Sequence, residues 1–382
     1  MQYRKFGNTG KEVSILGYGA MRMPTTDPEN PGSIDEKEAA YLIHKAINEG
    51  LNYVDTAYFY HGGASEPLVG RILQNGYRQK VYVATKSPIY SIKEEGDFQT
   101  FMDEQLRRLQ TDHIDFYLLH AINRHHWQDV VLRFDILHKL EEAKKAGKIG
   151  HIGFSFHDDH DTFMKVLDGY DKWEFCQVQM NYMDIENQAR LDGMLEAARR
   201  GLGVVVMEPL LGGKLANPLP QIRDIFQRVN TERTPVEWAL DWVWNMPEVS
   251  LLLSGMGARE QVAQNLQYAG RARAGMLSDA ELKTVEAVRA AIQSITAVPC
   301  TRCGYCMPCP SGVDIPRNFT IYNEYYMYNN LEKSKGDYKW MGSEDEGKKL
   351  AKNCVACGAC EARCPQQIEI SRTMPKVHEL LA

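Results

Sequence analysis

The sequence has almost no cysteine before residue 300 and no long apolar run. Of its nine cysteines, Cys176 alone precedes Cys300. The N-terminus shows no secretory signal, so the disulfide framework of a small secreted protein is not expected. The apolar runs are far too short to span a bilayer. We therefore expect a cytoplasmic protein with no membrane partner, in which Cys176, set in an apolar run, is an ordinary buried thiol.

The chain also has no excess of positive charge. It carries 44 Lys and Arg against 50 Asp and Glu, a net charge of −6, which gives no electrostatic support for nucleic-acid binding. Hydrophobic residues make up 44% and charged residues 25% of the chain, as in ordinary globular proteins. Its 382 residues suffice for one large domain and one small domain. We expect these domains over residues 1–280 and 281–382.

The C-terminal part instead has two closely spaced groups of cysteines. The first group is Cys300, Cys303, Cys306 and Cys309, and the second is Cys354, Cys357, Cys360 and Cys364. The second group, followed by Pro365, matches the ferredoxin pattern C-x2-C-x2-C-x3-C-P. The first group, followed by Pro310, is one residue shorter before its last cysteine. This spacing predicts two [4Fe–4S] clusters in a small, mainly helical ferredoxin-type domain.

In that pattern the last cysteine of each group binds the cluster of the other group. One cluster would take Cys300, Cys303, Cys306 and Cys364, and the other Cys354, Cys357, Cys360 and Cys309. Structural zinc is the alternative, because C-x2-C pairs also bind zinc. Zinc sites usually use two separated pairs, whereas three cysteines at every third position wrap one turn of backbone around a cuboidal cluster. The spacing therefore favours iron–sulfur over zinc.

Before the cysteines, short apolar runs alternate with amphipathic stretches. Strands are expected at residues 14–17, 53–55, 81–85, 114–119, 149–155, 175–179, 204–207 and 251–254. Helices are expected at residues 36–49, 66–74, 98–109, 135–146, 159–167, 188–200, 235–245 and 259–269. These β-α units predict a parallel (β/α)8 barrel. The alternative, a doubly wound open sheet, lacks its G-x-G-x-x-G after the first strand.

Three other segments have expected structures. Residues 1–13, with a turn at 7–10, predict a hairpin that plugs the bottom of the barrel. Residues 218–234 form a longer connection, which is a candidate cofactor-covering loop. Ser278 and Glu281 form a capping box that opens a helix to about residue 295. Residues 318–350, between the cysteine groups, predict helix plus loop.

Four ionisable side chains follow neighbouring strands of the predicted barrel. Asp55 and Tyr60 follow the second strand, Lys86 ends the third, and His120 ends the fourth. Active sites of such barrels collect at the C-terminal ends of the strands. A lysine charge would lower the pKa of a nearby tyrosine, and Asp55 would keep that lysine charged and oriented. Tyr60 could then give a proton to a carbonyl oxygen held by His120 while a hydride reaches the carbon.

The stretch from Asp55 to Glu66, DTAYFYHGGASE, together with Lys86 and His120, resembles the signature of aldo-keto reductases. The resemblance covers roughly residues 3–275. It implies an NAD(P)H-dependent carbonyl reductase with Asp55, Tyr60, Lys86 and His120 as its catalytic tetrad. Candidates to line the substrate pocket are Phe59, His61, Tyr90, His125, His126 and Trp127.

The resemblance also implies where a nicotinamide cofactor binds. The implied positions are Gly19, Asp55, Ser155, Gln177, Met207, Gly255, Gly257, Arg259, Gln261 and Asn265. Ser155 and Gln177 match positions that hold the carboxamide. Where NADPH-preferring members have Lys and Arg for the 2′-phosphate, this chain has Gly255 and Gln261, with Arg259 as the nearest cation. Both NADP(H) and NAD(H) therefore stay open.

With its cysteine-rich end, the whole chain resembles an iron–sulfur branch of aldo-keto reductases. A nicotinamide transfers two electrons at once and a [4Fe–4S] cluster exchanges one, so coupling them needs a cofactor able to do both. The leading hypothesis is a reductase of a small carbonyl compound, with structural clusters. The alternative is an electron-transfer enzyme whose clusters connect a ferredoxin-like or flavoprotein partner to a flavin, quinone or other redox substrate. A non-catalytic redox sensor is a third hypothesis.

Overall fold

The computed structural model describes residues 1–300, 302–343 and 347–382. These residues form two compact units. The barrel unit comprises Met1–Gly212 and Glu237–Asp279, and the tail unit comprises Gly213–Val236 and Ala280–Ala382. Among the described residues, none of the helices combines the length and the apolar character needed to cross a bilayer.

The barrel unit contains a closed barrel of eight parallel strands. They are β3 (Leu16–Gly19), β4 (Tyr53–Asp55), β5 (Tyr82–Ser87), β6 (Ile114–Ile122), β7 (Ile149–Phe156), β8 (Phe175–Gln179), β9 (Gly203–Met207) and β10 (Leu251–Ser254). Each strand pairs with the next, and β10 closes the ring onto β3. The predicted (β/α)8 barrel is confirmed. These strands are buried on both faces, which is why they are nearly continuous apolar runs in the sequence.

Helices follow the strands and extend into the C-terminal part of the chain. In chain order they are α1 (Glu36–Asn48), α2 (Ser65–Ile72), α3 (Asp97–Leu109), α4 (Ile136–Lys145), α5 (His160–Asp168), α6 (Arg190–Arg199), α7 (Pro220–Gln227), α8 (Pro235–Trp244), α9 (Arg259–Arg271), α10 (Asp279–Ser294), α11 (Ile315–Tyr328), α12 (Leu331–Ser343) and α13 (Ile370–Leu381). Helices α1–α6 and α9 lie within the barrel unit, as do most residues of α8. The eight helices predicted between strands are present, with ends shifted by one or two residues.

A hairpin before the barrel closes the end where the strands begin. Its strands are β1 (Tyr3–Lys5) and β2 (Glu12–Ser14), which pair antiparallel. Phe6 is fully buried, and its ring packs 4.7 Å from that of Phe116 and 5.4 Å from that of Phe175. The predicted plug is thus confirmed. The first barrel strand begins at residue 16 rather than 14, because residues 12–14 pair within the hairpin instead.

Replacing Phe6 by Ala should destabilise the barrel by about 3–5 kcal/mol, the usual cost of a large-to-small change at a buried aromatic. Chemical unfolding followed by Trp fluorescence measures the loss. Lys5→Ala, at an exposed position of β1, is the matched control and should change stability by less than about 0.5 kcal/mol. A Phe6→Ala protein as stable as the control would contradict the plug's contribution to the core.

The tail unit has its own apolar core. Phe319, Met341, Met374 and Val377 are fully buried there, and six of the eight C-terminal cysteines pack against this core. Those six are Cys300, Cys306, Cys309, Cys354, Cys360 and Cys364. These cysteines are therefore part of the packing of the tail unit.

Two segments of the tail unit are expected from the sequence to contain loops. The connection at 218–234, expected to be a loop, contains α7, which starts at Pro220 and buries Ile222 and Phe226 one turn apart. A proline at the first helical position and apolar residues four apart favour such a short helix. The stretch 318–350, expected to be helix plus loop, contains most of α11 and all of α12, with non-helical residues at 329–330 and 347–350, while residues 344–346 lie outside the described residues.

Candidate active site

The buried ammonium of Lys86 contacts two of the other three predicted side chains, Asp55 and Tyr60. Strands β4 and β5 are neighbours, so Asp55 at the end of β4 and Lys86 near the end of β5 lie close together. Lys86 Nζ lies 2.6 Å from Asp55 Oδ1, 2.9 Å from the Thr56 carbonyl oxygen and 3.2 Å from the Tyr60 hydroxyl. Lys86 has no exposed surface. The ammonium therefore donates to a carboxylate, a carbonyl and a phenol at the same time.

His120 completes this group from β6. Its ring meets the Tyr60 ring edge-to-face, with centroids 5.9 Å apart. The next residue, Ala121, has φ of +52°, a strained conformation for a residue other than glycine. Ala121 N–H donates to Ser155 Oγ at 2.8 Å, and the Ala121 carbonyl oxygen lies 2.9 Å from His126 Nδ1. These contacts hold the irregular end of β6, which presents the His120 ring beside Tyr60.

Charge and burial set the protonation of these groups. Burial alone would lower the pKa of Lys86, but the charges and hydrogen bonds of Asp55 and Tyr60 together outweigh it, and the pKa is raised. Burial raises the pKa of Tyr60 more than the Lys86 charge lowers it, so the expected lowering is wrong for this arrangement. Burial, with the nearby Lys86 charge, keeps the pKa of His120 well below its usual value. At neutral pH Lys86 is charged, Tyr60 holds its proton and His120 is neutral.

A second buried network supports the backbone at Lys86. Gln105 on α3 donates from Nε2 to the Lys86 carbonyl oxygen at 3.0 Å and to Glu66 Oε1 at 2.6 Å, and its Oε1 accepts from Tyr117 at 2.7 Å. Glu66 also accepts from Thr85 at 2.7 Å. Gln105 is not among the functional residues predicted from the sequence, although its spacing in the helix is a signal of burial. It occupies a buried position of α3 between the apolar Met102 and Leu109.

Of the positions implied for the nicotinamide, Ser155 and Met207 lie at the C-terminal ends of β7 and β9, and Gln177 lies in the middle of β8, opposite Ser155 in the strand register. Gln177 Nε2 contacts Met207 Sδ at 3.6 Å. Gln177 Oε1 is buried without a hydrogen-bond partner among the described residues. Buried polar atoms rarely stay unpaired. An acceptor of this kind suits an amide N–H₂ donor such as a carboxamide, so the residues present fit a nicotinamide.

Three more of the implied cofactor positions, Gly257, Arg259 and Gln261, lie at or just before the start of α9. Gln261 Oε1 accepts from the backbone N–H groups of Gly257 at 2.9 Å and Ala258 at 3.2 Å. A Cβ on Gly257 would come within 2.9 Å of the Arg22 carbonyl oxygen, so the chain passes closely there. Arg259 pairs with Glu38 at 2.7 Å. The only cation suggested for a 2′-phosphate is therefore already bound to a carboxylate.

Two more implied cofactor positions lie near the end of β10. Asn265 Nδ2 donates to Ser254 Oγ at 3.1 Å, and both side chains are buried. Gly19 lies at the end of β3, where an added Cβ would approach the Ser254 carbonyl oxygen at 3.6 Å, an ordinary contact. Gly19 and Gly257 thus differ, since a side chain would be accommodated at the first position and would clash at the second. The Cβ of a residue at Gly255 would meet the Arg22 side chain at 3.0 Å.

Several of the C-terminal cysteines lie close together in the tail unit. Four of them, Cys300, Cys303, Cys306 and Cys364, line one cavity together with apolar residues. Burial raises the pKa of Cys360, and the charges of Glu361 and of the nearby Cys354 and Cys309 raise it further. Among the described residues, no three Cys, His, Asp or Glu side chains are close enough to hold a single metal ion. Soft thiols around a shared cavity suit a larger iron–sulfur cluster better than zinc.

Comparisons with known proteins agree with this fold. The sequence model of the aldo/keto reductase family matches residues 15–290, and that of a 4Fe-4S dicluster domain matches residues 299–369. The uncharacterized oxidoreductase YrpG of Bacillus subtilis is 31% identical over 238 residues, 56% of this chain and 68% of that protein. L-galactose dehydrogenase of Arabidopsis thaliana is 26% identical over 319 residues, 78% of this chain and 97% of that protein.

Solved structures show the same architecture. The aldo-keto reductase AKR11C1 from Bacillus halodurans has a TM-score of 0.59 at 26% identity, over 75% of this chain and 96% of that one. A thermostable aldo-keto reductase, Tm1743, has a TM-score of 0.62 at 24% identity, over 75% of this chain and all of that one, and shows the fold alone. The chain belongs to the aldo-keto reductase family of oxidoreductases and carries a 4Fe–4S dicluster domain at its C-terminal end.

Gln105→Met should destabilise the barrel by about 1–3 kcal/mol, because it removes the side-chain donor to the Lys86 carbonyl oxygen, one of the donors to Glu66 and the acceptor of the Tyr117 hydroxyl. The nearly isosteric side chain keeps the packing of α3. Denaturant unfolding gives the free-energy difference. The control is Gln99→Met, at an exposed position of the same helix whose side chain donates to Asp103. Equal stability of the two variants would show that the network contributes nothing.

Proposed function

We propose that the barrel reduces the carbonyl group of a small molecule with NAD(P)H, and that Tyr60 is the general acid. The contact of the buried Lys86 ammonium with both Asp55 and the Tyr60 hydroxyl supports this most directly. A proton donor needs its proton at working pH and a nearby positive charge when the proton leaves. Tyr60 meets the first requirement because its pKa is raised, and Lys86 meets the second.

The proton and the substrate oxygen would meet between Tyr60 and His120. Neutral His120 can donate one hydrogen bond to a carbonyl oxygen, which fixes the oxygen beside the Tyr60 hydroxyl. As negative charge develops on that oxygen, Tyr60 transfers its proton and the Lys86 ammonium stabilises the tyrosinate. Asp55 keeps Lys86 charged throughout. The rings of Tyr60 and His120 are in edge-to-face contact, so one substrate oxygen could lie against both.

The same end of the barrel would hold the nicotinamide cofactor. When bound, NAD(P)H supplies the hydride to the carbonyl carbon. Gln177 would accept a hydrogen bond from the carboxamide through Oε1, and Ser155, whose Oγ already accepts from Ala121, would donate its hydroxyl proton. A 2′-phosphate would have to compete with Glu38 for Arg259. This competition supports NADH as the preferred form.

Tyr60→Phe should lower kcat/KM for aldehyde reduction by about 10²–10⁴-fold, the usual contribution of a general acid. The measurement is NADH and NADPH oxidation by anaerobically purified protein with a panel of aldehydes. Dinucleotide affinity, measured by fluorescence titration, should stay unchanged. Tyr77→Phe, whose ring stacks on His44 away from the group around Lys86, is the control. Full activity of Tyr60→Phe would refute the proposal.

The pH dependence of the two reaction directions follows from the raised pKa of Tyr60. Carbonyl reduction needs the protonated phenol, so its rate should stay level through neutral pH and fall only in the alkaline range, above the ordinary tyrosine value of about 10. Alcohol oxidation needs the tyrosinate and should rise over the same range. Because His120 is already neutral, neither profile should change near pH 6.5. A reductive rate that falls between pH 6 and 8 would contradict this assignment.

The dicluster domain favours a second candidate function, an oxidoreductase whose clusters exchange electrons with a ferredoxin-like or flavoprotein partner. In both functions we assign the clusters to crossed cysteine sets, one with Cys300, Cys303, Cys306 and Cys364, the other with Cys354, Cys357, Cys360 and Cys309. Rapid bleaching of the clusters by NADH in the pure protein would favour electron transfer. Clusters inert to NADH would favour the carbonyl reductase.

The crossed assignment predicts the effect of single cysteine changes. Cys364→Ser and Cys309→Ser should each impair one cluster, so that iron falls from about eight towards about four atoms per chain. Iron and sulfide analysis with electron paramagnetic resonance of the reduced protein measures this. Cys176→Ser, at a buried position in β8, should keep the full iron content. Full cluster content in Cys364→Ser would contradict the crossing.

A further inference from the structure

A groove on the tail unit lies beside the cysteine-lined cavity and has no assigned role. Its volume is about 620 Å³, within the range of small-molecule sites. Gln366 and Ile368 line both the groove and the cavity that contains Cys300, Cys303, Cys306 and Cys364. This short stretch after Cys364 is common to the two spaces. A molecule in the groove would therefore lie next to the first proposed cluster.

The walls of the groove suit a flat conjugated molecule. Tyr322 and Tyr326 of α11 pack edge-to-face with ring centroids 5.2 Å apart, and their hydroxyls are 3.2 Å apart. Tyr326 is 40% exposed, which leaves much of its ring open to a partner. Val298 and Ile368 add apolar surface. Offset or edge contacts with aromatic rings favour planar conjugated ligands over aliphatic ones.

The charges of the groove distinguish between redox carriers. Lys376 on α13 lines it, and so does Glu369. Glu369 is also paired with Arg372 at 3.0 Å. Among the described lining residues, Lys376 is the sole cation, and it shares the groove with a carboxylate. That is too little positive charge for the phosphate of a flavin nucleotide, which proteins usually meet with several donors. A neutral carbonyl oxygen needs one donor, which Lys376 or a tyrosine hydroxyl can supply.

We propose that this groove binds a neutral planar electron acceptor of the quinone class, which exchanges electrons with the adjacent cluster. A quinone suits the clusters because it accepts electrons one at a time. If both clusters were bound and in the [4Fe–4S]⁺ state, each would give up one electron and return to the 2+ state. The quinone gains these two electrons and two protons from water and becomes the quinol. A low-potential one-electron donor protein would reduce the clusters again. The site does not depend on the carbonyl reduction proposed for the barrel.

Equilibrium dialysis of menadione against the anaerobic holoprotein tests the binding. One menadione per chain should bind saturably, and Tyr326→Ala and Lys376→Met should each weaken the affinity about tenfold, or about 1.4 kcal/mol. Trp340→Ala and Lys339→Met, at exposed positions of α12 outside the groove, are the matched controls and should bind as the original protein does. Tyr60→Phe should also bind normally, because the ligand is in the tail unit.

Stopped-flow reoxidation tests the electron transfer. Protein reduced with dithionite and freed of excess reductant is mixed with menadione, and the visible absorbance of the clusters is followed. The rate should saturate with menadione in the original protein and rise linearly in Tyr326→Ala, where transfer occurs only by collision. The proposal is overturned if menadione does not bind, if Tyr326→Ala binds it equally well, if Tyr60→Phe loses the binding, or if flavin mononucleotide binds in its place.

Discussion

The barrel site depends on keeping a charged lysine in a place with no exposed surface. Moving an ammonium group out of water costs several kcal/mol unless other charges and hydrogen bonds replace the water. Asp55, the Thr56 carbonyl oxygen and the Tyr60 hydroxyl take that place around Lys86. Asp55 compensates the charge, and the carbonyl fixes its direction. The Tyr60 hydroxyl is the one partner in this group that can change protonation in the proposed reaction.

The surrounding barrel is arranged to hold that ammonium in place. Strands β4 and β5 set the distance between Asp55 and Lys86, and Gln105 and Glu66 brace the backbone behind Lys86. On the other side, the strained Ala121 is tied to Ser155 and His126, so the end of β6 presents His120. Ser155, which is itself proposed to hold the nicotinamide, thus also contacts the strand that carries His120. Substrate and cofactor contacts in the proposed reaction would share one rigid frame.

The sequence predicts the barrel and the meeting of four side chains well, for a definite reason. In a parallel barrel the strand order follows the chain, so residues after consecutive strands must be neighbours. The meeting of Asp55, Lys86 and His120 can therefore be predicted without knowledge of distant contacts. The Gln105 network cannot be predicted in this way, because α3 and Glu66 approach Lys86 only in the folded chain. The direction in which the pKa of Tyr60 shifts is also not predicted from the sequence. This shift results from burial competing with charge, and burial is not visible in a sequence.

The proposed unit of Asp55, Lys86 and Tyr60 can be tested most directly with a double-mutant cycle. The measurement is kcat/KM for carbonyl reduction by Tyr60→Phe, Lys86→Met and the variant with both changes. If Lys86 acts by stabilising the tyrosinate, its removal costs little once Tyr60 is gone, and the double variant should be about as active as Tyr60→Phe alone. Losses that multiply would contradict the account, because they would show that Lys86 and Tyr60 act independently.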